Sequence, residues 1–223
     1  NDIFDKEFDS KVLRTKNRPV ASGKVSVKLA IFYSIFLCSI ALIVLLKFNL
    51  YTIVLALGSM PLAFTYPLMK RFTYWPQLFL GITFNYGLIL GWTSIYGEIS
   101  LIPILFYIGA IFWTLGYDTI YGFQDISDDE IIGLKSTSIK FKSKPYFFLI
   151  TCYLILFTII IFLGILNKFN LMYFFFSLII AYHLFYFQLK KVNLNNPSSC
   201  LKCFKSNNVF GFLVLIGIII GKF

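Results

Sequence analysis

The chain has 223 residues, of which 58% are hydrophobic and 13% charged, with a mean hydropathy of +0.80. Soluble domains carry about 25% charged residues, so this composition excludes a soluble enzyme, a disordered chain and a disulfide-framed secreted domain. The net charge of +10 from 20 Lys+Arg against 10 Asp+Glu would suggest nucleic acid in a soluble protein. Here the basic residues lie between apolar runs, so they read as topology signals and no nucleic-acid partner is expected.

In chain order, uncharged stretches cover 29–46, 48–69, 72–97, 99–117, 145–167, 169–189 and 206–221. A bilayer core about 30 Å thick takes roughly 20 apolar residues of helix. Backbone polar groups in hydrocarbon must bond within their own segment, which selects helices. The period-2 alternation of a membrane barrel is missing. The expected fold class is therefore all-α: a multi-pass transmembrane helical bundle with seven spans in one domain over residues 1–223. If the chain crosses seven times, the side holding residues 1–28 receives 17 of the 20 basic residues, and the other side only Lys47, Lys168 and Lys222. The positive-inside rule makes the first side cytoplasmic.

Nine of the ten acids lie in residues 1–9 and 118–130, on that same side. Asn1, Asp5 and Asp9 are spaced by four, one face of a helix. Asp125 and Asp129 repeat the spacing, with Asp118 a heptad earlier. Crowded carboxylates repel one another unless a cation lies among them. Oxygen-only ligands favour a hard ion, and Mg²⁺ completed by phosphate oxygens fits better than Ca²⁺, because the calcium-loop pattern is missing. Arg14, Arg18, Lys70, Arg71 and Lys135 lie close by in sequence and suit phosphate oxygens. No nucleotide-binding glycine loop is present, so a lipid diphosphate at the membrane surface is the expected ligand. Charges beside spans are ordinarily solvated loop residues; two acidic clusters sharing a spacing on one side argue otherwise here. His183, the sole histidine, reads as a packing or interfacial residue, and the Cys200/Cys203 pair lacks further ligands for a metal.

These motifs carry a resemblance. Asn1-Asp2-x-x-Asp5-x-x-x-Asp9, with Arg14-Thr15-Lys16-Asn17-Arg18-Pro19 and Ala21-Ser22-Gly23 after it, resembles the first signature of the UbiA superfamily of membrane prenyltransferases. Asp125-x-x-Asp128-Asp129 and Gly133-Leu134-Lys135-Ser136-Thr137 resemble the second. Tyr66–Leu78 and Leu80-Gly81 are similar to the 4-hydroxybenzoate polyprenyltransferase branch, and the likeness continues through Cys203-Phe204-Lys205 and Asn207–Gly211. Gly122 departs from the family's usual Ala. The family has nine transmembrane helices and its first motif follows the second, so the resemblance implies two preceding helices, roughly 60 residues. It also implies that Cys200 and Cys203 fall in a loop without a metal site.

The resemblance implies a Mg²⁺-dependent transfer of a polyprenyl group from polyprenyl diphosphate to the ring carbon ortho to the hydroxyl of 4-hydroxybenzoate, in ubiquinone biosynthesis. Asn1, Asp5 and Asp9 would serve one ion, Asp125 and Asp129 another. Arg14, Arg18, Lys70, Lys135, Asp118 and Asp128 would contact substrate, and Arg71 the acceptor's carboxylate. The proton acceptor stays open between Asp118 and Asp125. The setting would be a bacterial inner membrane with the site facing the cytoplasm, or the mitochondrial inner membrane in a eukaryote. The alternatives are another acceptor (naphthoate, homogentisate, haem or a lipid alcohol) and a cation-coupled transporter, which would prefer acids in mid-span.

Overall fold

The computed structural model describes residues 2–223, so Asn1 lies outside the described residues. Among these every regular element is helical, and seven helices are long and apolar enough to cross a membrane: Val27–Leu45, Leu50–Phe72, Pro76–Tyr96, Leu101–Gly122, Pro145–Leu166, Leu171–Lys190 and Pro197–Lys222. The chain is an integral membrane protein. The apolar side chains that would be a liability in water, such as Phe32, Ile43, Phe147 and Leu171, face outward from the spans, where lipid replaces water.

Local chemistry places the ends. Helix α1 is a single turn, Lys6–Asp9. Ser26 accepts from the Leu29 N–H to start α2 (Val27–Leu45), and Asn49 accepts from Thr52 to start α3 (Leu50–Thr65). Pro67 interrupts the helical ladder between α3 and α4 with a 3₁₀ turn, after which α4 is Met69–Phe72. Pro76 opens α5 (Pro76–Phe84), α6 follows at Gly87–Tyr96, and α7 is Leu101–Gly122. Short helices α8 (Ile126–Ile132) and α9 (Thr137–Lys140) lead to α10 (Pro145–Leu166) and α11 (Leu171–Ala181).

The core lies where α7 meets α10, with α5, α12 (Pro197–Lys205) and α13 (Asn207–Lys222) packed around it. Close approach of α7 to α10 depends on a small residue: a Cβ on Gly116 would collide with the ring of Tyr153, itself fully buried. Asn85, at the α5–α6 break, donates to the carbonyls of Gly81 (2.8 Å) and Ala110 (3.1 Å) and to Thr114 Oγ1 (2.7 Å). That side chain replaces lost helical bonds and pins α5 to α7. Helix α2 buries none of its residues against the rest.

Two elements differ from the sequence expectation. The last span begins at Pro197 rather than at 206, because Asn196 caps the N–H groups of Ser198 and Ser199. Cys200 and Cys203 therefore lie on a helix, buried as free thiols, and not in a loop. Lys202 and Lys205 on the opposite face interrupt the apolar run, so the uncharged stretch begins only at 206. The sixth span continues past α11 as a π-helical segment, Tyr182–Lys190. Its five-residue spacing turns His183 with Gln188, and Leu184 with Leu189, towards the interior. His183 is accordingly buried, stacked near Phe187 and Phe210.

Candidate active site

The chain before the first span folds across the basic end of the bundle and is tied to it by charged side chains. Asp5 and Asp9 keep the helical spacing through an Asp9 N–H to Asp5 carbonyl bond of 2.8 Å, although only one turn of helix forms. Both carboxylates are buried. Across from them, α7 ends at Gly122, and Asp125 and Asp129 belong to the next turn, joined by an Asp129 N–H to Asp125 carbonyl bond of 2.9 Å. The second cluster is thus two helices and a turn instead of one continuous face. A Cβ at Gly122 would strike the Ser138 hydroxyl. Glycine at that position lets the 134–140 strap close on α7, where Ser138 donates to the Thr119 carbonyl at 2.8 Å. Gln77 secures the same strap by accepting the Thr137 N–H at 3.0 Å.

The result is a cavity of about 320 Å³ lined by five carboxylates, Asp5, Asp9, Asp118, Asp125 and Asp129, and four cations, Arg14, Arg18, Lys70 and Lys135. Lys70 pairs with Asp5 at 2.8 Å and Arg18 with Asp9 at 2.9 Å. Arg14 holds Asp125 through Nε at 2.9 Å and through its terminal nitrogen at 2.5 Å, and donates to the Tyr121 hydroxyl at 2.8 Å. Among the described residues, Asp118, Asp129 and Lys135 have no ion-pair partner. Lys135 instead donates its backbone N–H to the Lys70 carbonyl at 2.8 Å and its ammonium to the Phe72 carbonyl at 3.2 Å.

Burial, with the neighbouring Asp125 charge second, pushes the Asp129 carboxyl up to about 6. The hydrogen bond to Asp125 raises Arg14 above the usual guanidinium range. One oxygen of Asp5 is buried with no hydrogen-bond partner, an acceptor that native structures seldom leave idle. Together with the unpaired Asp118 and Asp129, it gives the donor set open oxygen ligands of the kind a hard cation uses. No group of three or more acidic, His or Cys side chains among the described residues is gathered closely enough to hold a metal ion by itself. Oxygen ligands this dispersed suit only a cation that keeps much of its water and takes its remaining ligands from a bound phosphate, the chemistry of Mg²⁺.

Some expected site residues stand elsewhere. Arg71 is exposed; it donates to the Phe4 carbonyl at 2.6 Å and lies over the Phe8 ring, outside the cavity. Helical geometry sends its neighbour Lys70 inward and Arg71 outward. Asp128 likewise does not line the cavity, because it precedes Asp129 on a short helix that can turn only one of them inward. Asn1 lies outside the described residues. Sequence reasoning missed Gln77 and gave Tyr121 no role. Tyr121 lies between Asp118 and Asp125, a position that offered a signal.

Below the cavity the aromatic rings continue inward. Tyr121 meets Phe204 (centroids 4.3 Å apart), Phe204 meets Tyr117 (5.6 Å), Tyr117 meets Trp113 (5.1 Å), and Trp113 meets Phe210 (4.9 Å). Trp113 is locked by its indole N–H to Asn207 Oδ1 at 2.8 Å; Gln188, itself bonded to Tyr153, donates to the same oxygen. Trp113, Phe106 and Phe210 line an interior void of about 160 Å³. It shares Leu88, Phe106, Ile160 and Val214 with an apolar cavity of about 640 Å³ nearer the opposite membrane face.

Fold and site define a polytopic membrane protein with a charged, carboxylate-lined cavity above an aromatic interior. The profile of the UbiA prenyltransferase family matches residues 1–216, and the chain belongs to that family. It is 40% identical over 225 residues to 4-hydroxybenzoate geranyltransferase 2 of Lithospermum erythrorhizon, covering 100% of this chain and 72% of that protein. With the human mitochondrial 4-hydroxybenzoate polyprenyltransferase it shares 38% identity over 223 residues, covering 100% and 60%. The Dictyostelium discoideum enzyme of the same name is 42% identical over 226 residues, 100% of this chain and 48% of that one. The chain thus spans about half to three quarters of the length of these curated relatives. An apo structure of a UbiA homologue from Aeropyrum pernix superposes with a TM-score of 0.77 at 23% identity, covering 100% of this chain and 82% of that one, which establishes the shared fold.

Proposed function

We propose that the protein transfers a polyprenyl group from polyprenyl diphosphate to the ring carbon ortho to the hydroxyl of 4-hydroxybenzoate, a step of ubiquinone biosynthesis. The observation that carries this reading is the single cavity that gathers five carboxylates and four cations over an aromatic-walled interior, in a chain whose named relatives act on 4-hydroxybenzoate. Asp5 and Asp9 on one wall, and Asp125 and Asp129 on the other, would hold Mg²⁺, with Asn1 adjoining the first pair in sequence. Bound there, the metal supplies electrostatic neutralisation of the diphosphate leaving group.

Arg14, Arg18 and Lys70 bind and orient the diphosphate, exchanging part of their contact with the aspartates for phosphate oxygens. Lys135 has no carboxylate partner, which makes it the cavity cation best suited to the acceptor's carboxylate, the role expected of Arg71. The faces of Tyr121, which lines the cavity, and of Phe204 and Tyr117 beneath it would exclude water and stabilise positive charge on the allylic carbon. The donor's apolar tail extends past Trp113 into the inner void and the larger apolar cavity. Asp118, near the end of α7 and free of an ion pair among the described residues, is our choice over the Arg14-bound Asp125 for the group that accepts the ring proton. The active end is the basic, cytoplasmic side of a bacterial inner membrane, or its mitochondrial counterpart. A transporter reading gains nothing, since no acid lies in the middle of a span.

The test uses membranes expressing the full gene, labelled 4-hydroxybenzoate, a polyprenyl diphosphate, and either Mg²⁺ or excess chelator. Label should enter the lipid extract only with Mg²⁺. Label with naphthoate or homogentisate but not 4-hydroxybenzoate would replace the acceptor, and no label with any acceptor would overturn the transferase reading.

A further inference from the structure

The surface formed by the last two spans at the basic end is not used by the proposed chemistry. Between residues 190 and 205 the chain has four lysines, Lys190, Lys191, Lys202 and Lys205, and no acid. None of the four joins an ion pair among the described residues. Lys191 and Lys202 share a recess of about 230 Å³ with the hydroxyls of Ser198 and Ser199. Its floor is apolar, formed by Phe187 and the buried Cys203. Ser199 Oγ accepts from the Asn193 N–H at 3.0 Å, which leaves its own proton to donate outward.

On the other side of the same turn, Lys190 tops a groove of about 550 Å³ between α10 and the π-helical segment. Tyr146, Ile150 and Leu154 form one wall and Phe185 and Leu189 the other. Residues four apart share a helix face, so the α10 wall runs straight down the span for about 12 Å. This groove lies at hydrocarbon depth, while the lysines stand at the level where such side chains reach the headgroups. Basic pockets between spans on the positive side suit anionic lipid headgroups.

We propose that this surface is a binding site for one anionic phospholipid. Its phosphate is held by Lys191 and Lys202, with Ser199 as a neutral donor, and one acyl chain lies in the Ile150–Leu154 groove beneath Lys190, which meets the recess where the Tyr146 hydroxyl donates to the Val192 carbonyl at 3.2 Å. The charge selects the occupant: unpaired lysines with no acid nearby favour a phosphodiester over a zwitterionic headgroup, whose ammonium they repel. The groove favours a lipid over a free phosphate, which could use only the upper half of the site.

The purified full chain in detergent would be titrated by native mass spectrometry with phosphatidylglycerol, with phosphatidylcholine of the same acyl chains, and with inorganic phosphate as a competitor. Phosphatidylglycerol should bind at least about tenfold more tightly than phosphatidylcholine, at about fivefold for each lysine engaged. Combined Lys190→Gln, Lys191→Gln and Lys202→Gln should abolish that preference, whereas the same three positions changed to Arg should keep it. Lys142→Gln removes a lysine already paired with Glu130 on the same side, and should leave binding within about twofold. Ile150→Trp, which fills the groove, should weaken both lipids and keep their ratio. Equal binding of the two lipids would overturn the site. So would a preference that survives the glutamine variant, provided that variant keeps its helical circular dichroism. Displacement of the lipid by inorganic phosphate alone would reduce it to an anion site and refute the acyl groove. None of these readouts depends on transferase activity, so they stand or fall apart from the proposed reaction.

Discussion

The two ends of the bundle hold cavities built on opposite principles. At the basic end about 320 Å³ is framed by ion pairs between segments far apart in sequence. Towards the other face about 640 Å³ is framed by apolar side chains and by glycines, two of them, Gly87 and Gly91, with open space where a Cβ would point. The first confines a small, highly charged group and depends on charge balance. The second selects by shape and volume, since hydrocarbon offers no directional contacts.

The largest expected effect therefore falls on the charged end. Asp5→Ala or Asp125→Ala in the full protein should lower turnover at least about a hundredfold, measured as label transferred in membranes, with insertion unchanged by protease accessibility. Near-normal turnover in either would remove the metal assignment. At the apolar end, Gly91→Phe should cut use of a long polyprenyl diphosphate by about tenfold relative to geranyl diphosphate. An equal loss with both donors would place the tail elsewhere.

A smaller effect separates folding from catalysis. Asp129 holds its proton up to about pH 6 in the folded protein, whereas an unfolded Asp releases it near 4. Folded stability without metal therefore falls as pH rises through that window, and the full penalty is present above it. Asp129→Asn should raise metal-free stability by about 1–2 kcal/mol at pH 8, and the gain should vanish near pH 4. With Mg²⁺ present, the variant should show less metal-induced stabilisation than the parent; thermal unfolding with and without Mg²⁺ reads both. The smallest change is expected from Arg71→Ala. Losing its bond to the Phe4 carbonyl should cost about 1 kcal/mol, with KM for the aromatic acid changed by less than about threefold. A larger rise in that KM would return Arg71 to the site.

Much of this architecture was legible before any coordinates. Hydrocarbon admits only self-bonded helices, so the seven spans followed from uncharged run lengths, and the uneven lysine and arginine count marked one end of the bundle as basic. The exceptions are instructive. Helix α12 has Lys202 and Lys205 on one face and buried cysteines on the other, so charge concealed it. The π-helical segment leaves no trace in composition, because it is the bond pattern from Tyr186 to Lys191 that changes. Of adjacent Lys70 and Arg71, and of adjacent Asp128 and Asp129, only one of each pair reaches the cavity; neighbouring residues on a helix point about 100° apart, and which of them faces inward depends on packing.

By itself the sequence determined the solvent these residues require, the seven apolar spans among them, which end is basic, and the two carboxylate clusters, since each follows from composition and local spacing. Tertiary structure decided which carboxylates share a cavity, which cations neutralise them and which stay free, and how far the aromatic path runs beneath. Several of those outcomes rest on contacts between segments far apart in sequence, such as Arg14 with Asp125, 111 residues apart. No local pattern encodes such a contact, because its geometry exists only once the helices have packed.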